Sequence, residues 1–155
     1  MKWLRVYVDT SVIGGCFDKE FALWSNGLMA DFRLRRFRPV VSEVTSAEMQ
    51  MAPMQVRVLY EEILALAEYL PLTEDALALL EEYERHAILG SRFRNDMLHI
   101  ALATVGQVDI LVSWNYKHIV RFDKIQGFNG INLECGYKPL GIYSPREVTT
   151  YEREN

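Results

Sequence analysis

Cysteine is scarce in this chain: Cys16 and Cys135 are the only two among 155 residues. Two thiols so far apart give neither a disulfide framework nor the close spacing of a soft-metal site, which suits a reducing compartment. No apolar run approaches the ~20 residues that a membrane-crossing helix needs. The opening MKWLRVYVDTS has no long apolar stretch of the kind a secretory leader carries. An excess of positive charge is also missing. The net charge of −4 argues against a surface coated for duplex DNA. It leaves room for a local nucleic-acid cleft, because an acidic metal site lowers the total. No repeat, low-complexity tract or linker divides the sequence. What these absences leave is a soluble, cytoplasmic, single domain over 1–155, long enough for a true core.

Strand-like and helix-like stretches alternate along the whole chain. LRVYV (Leu4 to Val8) and FRPVVS read as short buried strands, with Pro39 near the start of the second, where proline is tolerated. EYLPL reads as a third, VDILVS as the strongest, and the segment around Leu140 to Tyr143 as the last. Between them, Phe21, Trp24, Leu28, Met29 and Phe32 recur at helical spacing over 21–35. Val56, Leu59, Tyr60, Ile63, Ala67 and Leu70 do the same after Pro53, which fits the first turn of a helix. Asp9, Ser42, Thr73 and Asn95 are placed as helix caps. The helix after Thr73 is expected to run to Gly90, and a short helix is expected from Asn115 to Val120. The stretch beyond is rich in turn residues. The alternation predicts an α/β sandwich with a mainly parallel sheet.

Four stretches pair an apolar run with an oxygen-bearing side chain. They are YVDTS with Asp9, SEVTSAE with Glu48, NDMLHIALA with Asp96 and LVSWNYKHI with Asn115. Each side chain falls near a strand end or a helix start. In an open parallel sheet such junctions converge on one edge, where ligands bind. Asp9 directly follows a strand, and Ser113 and Asn115 follow another. Asp96 lies in the first turn of a helix. Glu48 lies about two turns into its helix, on the side aimed inward with Val44 and Met51. Three carboxylates in one cleft repel one another, and a hard divalent cation with oxygen ligands relieves that. Taken singly, Asp9, Asp96 and Asn115 read as caps and Glu48 as a solvated helix residue. The metal-site reading rests on the four together.

In that order and spacing the motifs resemble the PIN domain, and within it the VapC-type toxins of bacterial and archaeal toxin–antitoxin pairs. The resemblance covers nearly the whole chain. It implies a PIN-like three-layer sandwich, with a central, mainly parallel sheet of four to five strands flanked by helices. In the second motif the family's ligand is the glutamate six residues after the serine, which selects Glu48 over Glu43. Many relatives carry a further carboxylate three residues after the Asn115 position, and His118 stands there instead. The implied activity is phosphodiester hydrolysis of RNA. Asp9, Glu48, Asp96 and Asn115 would form the catalytic set, with Mg2+ or Mn2+ on the three carboxylates. Thr10, Ser113 and His118 would stand behind them. A cognate antitoxin and a homodimer through the early helices are the implied partners.

The other polar residues have plainer readings. His99, three residues after Asp96, reads as a core histidine or one that supports the ligands. His86, four residues after Glu82, reads as a solvated pair. The run FRLRRFR, with Arg33, Arg35, Arg36 and Arg38, reads mainly as a solvated face. Arg92 and Arg94, just before Asp96, are better placed to meet an RNA phosphate. A non-catalytic RNA-binding or scaffold module is the alternative function. A phosphatase of the haloacid-dehalogenase type would want a second aspartate two residues after Asp9, where Ser11 stands.

Overall fold

The computed structural model describes residues 3–151. The ends of the expected 1–155 domain lie outside the described residues. Five strands form one sheet: β1 (Arg5–Val8), β2 (Arg38–Ser42), β3 (Glu68–Leu70), β4 (Ile110–Val112) and β5 (Gly141–Tyr143). Their order is β3-β2-β1-β4-β5, and every neighbouring pair is parallel. Among the described residues, seven helices connect them and an eighth follows β5: α1 (Thr10–Gly14), α2 (Ala22–Arg33), α3 (Glu43–Met49), α4 (Met54–Leu66), α5 (Glu74–Arg85), α6 (Arg94–Val105), α7 (Phe122–Glu134) and α8 (Pro145–Val148).

The three layers follow from the two-residue period of the strands. Tyr7, Val40 and Leu111 face a core shared with Leu79, Leu80, Tyr83, Met97, Ile100, Ala101 and Phe128 of α5, α6 and α7. Val6, Val8, Val41 and Val112 face the other side, against Val12, Leu28, Phe32, Val56 and Ile63 of α1, α2 and α4. Both faces of the sheet are covered, which is why the inner strands β1, β2 and β4 are mostly apolar. The chain lays β1, β2 and β3 outward in one direction, then returns to place β4 and β5 on the other side of β1. The order reverses between β1 and β4, so the crevice beyond their carboxyl ends is the natural ligand site of such a sheet. Among the described residues, no helix is long and apolar enough to cross a membrane.

The caps at Asp9, Ser42 and Thr73 form as their side chains require. Several boundaries differ from expectation. The helix after Thr73 stops at Arg85, because Ala87 adopts a left-handed φ of 52° and turns the chain before Gly90 is reached. Asn95 caps nothing: the 3-10 turn Ser91–Phe93 feeds directly into α6, which starts at Arg94. Residues 115–120 form a turn rather than a helix. The Asn115 carbonyl accepts from Ile119 N at 3.0 Å and Val120 N at 2.8 Å, and its side chain accepts from His118 N at 2.9 Å. The turn-rich stretch beyond holds a full helix, α7. Its Asn132 side chain bonds Thr104 and Asn129 and accepts from the Tyr83 hydroxyl, so buried pairing overrides weak helix propensity. Pro53 stands just before α4 instead of inside its first turn. Met51 lies past the end of α3 and is 90% exposed, not inward.

Burial pushes the Cys16 thiol up to about 12, which leaves it a small apolar packing group. The 3-10 turn Gly15–Phe17 that carries it passes close under Trp114. A Cβ on Gly15 would lie 2.7 Å from Ser25 Oγ and 2.7 Å from Trp114 Nε1, whereas one on Gly14 would meet nothing within 4 Å. Gly15→Ala is therefore expected to destabilise the fold by about 1–3 kcal/mol through overpacking. Gly14→Ala, inside α1, should be neutral or stabilising by up to about 1 kcal/mol. Urea unfolding midpoints of the two variants check both signs.

Candidate active site

Asp9 leaves the end of β1 in extended geometry and caps α1. It is 4% exposed. Its Oδ1 accepts from Ser11 Oγ at 2.6 Å and from Val12 N at 3.3 Å. Its Oδ2 accepts from Ser113 Oγ at 2.5 Å, across from the end of β4. Ser113 Oγ in turn accepts from Asn115 N at 2.9 Å, and Asn115 Nδ2 donates to Asp96 Oδ2 at 3.3 Å. One hydrogen-bonded path therefore runs from Asp9 through Ser113 and Asn115 to Asp96. It crosses the point where the strand order reverses.

Asp96 stands in the first turn of α6, where the helix dipole favours a negative charge. His118 Nδ1 lies 3.3 Å from its Oδ2. The His118 ring packs on Phe93 with ring centroids 3.8 Å apart, and the Arg92 guanidinium covers Phe93 at 4.8 Å. Arg94 points elsewhere and pairs with Glu84 at 2.8 Å. Glu48 comes from the second turn of α3. Its Oε1 meets His99 Nε2 at 2.5 Å. Glu43 of the same helix turns outward and accepts from Leu72 N at 3.3 Å.

Burial dominates the electrostatics. It raises the Asp9 carboxyl above the usual carboxylate range, against the opposing pull of His99 and of the Ser11 and Ser113 hydroxyls. It also raises Asp96, which His118 and His99 lower and the charge of Glu48 raises further. The Tyr7 phenol beneath them is pushed well above its normal range by burial, so it stays protonated. Asp9, Glu48 and Asp96 thus share one neighbour, His99, and Asp9 and Glu48 also act on Tyr7.

The donor set is three carboxylates and one amide, which suits a hard divalent cation and not a soft one. Among the described residues, no three His, Cys, Asp or Glu side chains close on a single point as a ready metal cage. Each carboxylate is drawn toward its own hydrogen-bond partner instead. Mg2+ tolerates that arrangement, because it keeps several waters and binds through one or two carboxylates directly.

Some expected residues play no visible part. The Thr10 hydroxyl makes no hydrogen bond among the described residues, and Ser11 holds Asp9 in its place. Ser11 also accepts from Trp114 N at 2.9 Å, so it locks the β4 loop to α1. The arginine-rich run is tied into the fold: Arg33 pairs with Glu62 at 2.5 Å, and Arg36 bonds buried Asp31 at 3.2 Å. The His86 ring meets the Glu82 backbone carbonyl at 2.9 Å, while the Glu82 carboxylate pairs with Arg85.

No family model matches the chain, and no curated protein matches it by sequence. Solved structures do. A chain in the crystal structure of VapBC2 from Rickettsia felis bound to a DNA fragment from their promoter aligns with a TM-score of 0.60 at 14% identity, covering 91% of this chain and 98% of that one. Chains of FitAcB from Neisseria gonorrhoeae and of VapBC-1 from nontypeable Haemophilus influenzae each align with a TM-score of 0.60 at 15% identity, covering 92% of this chain and 99% of theirs. The likeness runs nearly end to end and establishes the fold, a PIN-like three-layer sandwich.

The raised Asp96 carboxyl has a consequence for stability. A folded pKa above the unfolded value of ~4 means that the folded state loses stability as pH rises through that window, and the deficit is constant above it. Asp96→Asn removes the deficit. In metal-free buffer the variant should therefore be more stable than the wild type at pH 7, and its advantage should shrink as the pH falls toward ~4. Urea midpoints across a pH series measure this, and a variant weaker than wild type at pH 7 contradicts it.

Proposed function

We propose that the protein is a metal-dependent ribonuclease that uses Mg2+ or Mn2+, acting in the cytoplasm as the toxin of a toxin–antitoxin pair. The observation that carries this reading is the hydrogen-bonded path from Asp9 through Ser113 and Asn115 to Asp96, with Glu48 alongside. Asp9, Asp96 and Glu48 would hold the ion, directly or through water. When bound, the ion supplies an activated water and positive charge for the scissile phosphate. Ser11 and Ser113 fix both oxygens of Asp9, and Asn115 fixes Asp96. His118 stands at the mouth against Asp96, between the carboxylates and the Arg92–Phe93 stack. Arg92 carries no carboxylate partner among the described residues, so its guanidinium is available to an RNA phosphate. Arg94, paired with Glu84, would have to exchange that partner.

The partner reading is supported by the fold, which is shared with chains of VapBC and FitAcB. An exposed apolar groove lies between the turn after α1 and α4, lined by Phe17, Pro53, Met54, Val58 and Leu59. An antitoxin segment with an apolar face would cover it. A second copy of the chain would pack through the early helices, where Leu23 and Leu34 are exposed.

Cleavage of RNA is the direct test. Wild type should cut RNA with Mg2+ or Mn2+ and lose activity in a chelator. Asp9→Ala and Asp96→Ala should abolish cutting, the first at some cost in stability because Asp9 also caps α1. Glu48→Gln should lower the rate by at least about tenfold, a typical loss for a group near the reacting centre, and Glu43→Gln should leave it nearly unchanged. RNA binding without cleavage by the wild type would favour the scaffold reading instead. Equal losses from the two glutamate changes would refute the choice of Glu48. Arg92→Ala should weaken RNA binding and flatten its dependence on salt, by about 0.7 in log–log slope for each phosphate no longer neutralised. Arg33→Ala, which breaks only a surface pair with Glu62, should leave that slope unchanged.

A further inference from the structure

Beneath the carboxylates runs a second buried path. Ser42, the cap of α3, places its Oγ 2.7 Å from Tyr7 Oη. Tyr7 Oη lies 2.6 Å from His99 Nδ1, and His99 Nε2 lies 2.5 Å from Glu48 Oε1. The path joins β1 and β2 to α6 and α3; Asp9 directly follows β1, and α6 and α3 carry Asp96 and Glu48. His99 is 1% exposed, so neither of its nitrogens can turn to water instead.

The direction of every proton along it is fixed by counting. Ser42 Oγ already accepts from Val44 N at 3.2 Å and Thr45 N at 3.4 Å. Its two lone pairs are used, so it must donate. Of its two remaining neighbours, Tyr7 at 2.7 Å is closer than Thr45 Oγ1 at 3.3 Å. Tyr7 accepts that proton and gives its own to His99 Nδ1. The imidazole is then left with its proton on Nε2, facing Glu48. Each donor polarises the next toward the carboxylate.

We propose that His99 is a positioning residue. Clamped by Tyr7 and Ser42, it pins one oxygen of Glu48 and leaves the other open toward the crevice shared with Asp96. The inference rests on the metal-site reading of Glu48 given above. Glu48 Oε2 has no hydrogen-bond partner among the described residues. A glutamate on a surface helix loses rotamer freedom when it binds an ion, and a fixed donor on the other oxygen removes part of that loss in advance. A merely structural histidine would hold α6 against β1 without any bearing on what Glu48 binds.

The test separates the two by geometry. His99→Gln can place its amide N–H where Nε2 stands. His99→Asn keeps a polar group toward Tyr7 but falls short of Glu48. Titration calorimetry with Mn2+ should give His99→Gln an affinity within about threefold of wild type, and His99→Asn a loss of about 10–100-fold, the usual range for a residue behind a ligand. In a Glu48→Gln background, His99→Asn should add nothing further. An unchanged affinity in His99→Asn overturns the proposal, as does an equal loss in the Glu48→Gln background.

A second readout needs no metal. In the metal-free protein the His99 Nε2–H should give a downfield proton resonance that exchanges slowly with water. The signal should move in Glu48→Gln and weaken in Tyr7→Phe, which removes the donor at Nδ1. If neither change alters the signal, the hold does not exist. If the wild type takes up no Mn2+ at all, the proposed function falls, and the resonance alone decides whether His99 pins Glu48.

Discussion

The bond from Ser113 to Asp9 is the point on which the rest of the site depends. It joins the carboxyl ends of the two strands between which the order of the sheet reverses, and it does so with a buried ionisable group. A carboxylate so nearly sealed from water is tolerated only when donors surround it. Ser11, Val12 and Ser113 are those donors, and each comes from a segment whose course is set by another requirement. Ser11 and Val12 are the first turn of a helix that Asp9 itself caps. Ser113 is the first residue past β4, and its hydroxyl also receives the backbone of Asn115. The polar arrangement and the topology therefore specify one another.

Trp114 reinforces this from the opposite face. It lies between Ser113 and Asn115 in sequence, yet its indole stacks on Phe21 at 4.3 Å and donates to Ser25 at 2.8 Å. The loop after β4 is thus pinned on the apolar side by a large ring and on the polar side by a serine and an asparagine. Alternate residues of one short loop serve the core and the crevice. The same division appears in β1, where Val6 and Val8 pack one core while Tyr7 reaches the other with its ring and His99 with its hydroxyl.

Much of the sheet and of the site is legible in the sequence because it depends on local signals. Strands β1, β2 and β4 are apolar runs that end in residues able to cap or bind, and Asp9, Ser42 and Thr73 cap as short polar side chains do. The choice of Glu48 over Glu43 rests on the resemblance of the second motif, and the structure turns the two in different directions. What stays hidden depends on pairings distant in sequence. Helix α7 contains Gly127, Asn129, Gly130 and Asn132, and it persists because Asn132 is paired with Thr104 and Tyr83. The early end of α5 at Arg85, set by the turn at Ala87, has no signal of its own. The roles of Ser11 and Tyr7 are not apparent from sequence, because a hydroxyl beside a motif looks the same whether it faces solvent or a buried carboxylate. Helix α8 has a local signal that the turn-rich reading of the tail overlooks: Ser144, Pro145 and Glu147 spell a capping box with proline in the first turn.

The proposed function puts a divalent ion in the crevice beyond the carboxyl ends of β1 and β4. Anomalous diffraction from crystals grown with Mn2+ addresses it without reference to activity or to RNA. The account predicts a peak within coordination distance of Asp9 or Asp96, on the side reached by the free oxygen of Glu48. A clear peak elsewhere on the molecule, with this crevice empty at the same Mn2+ concentration, would contradict it.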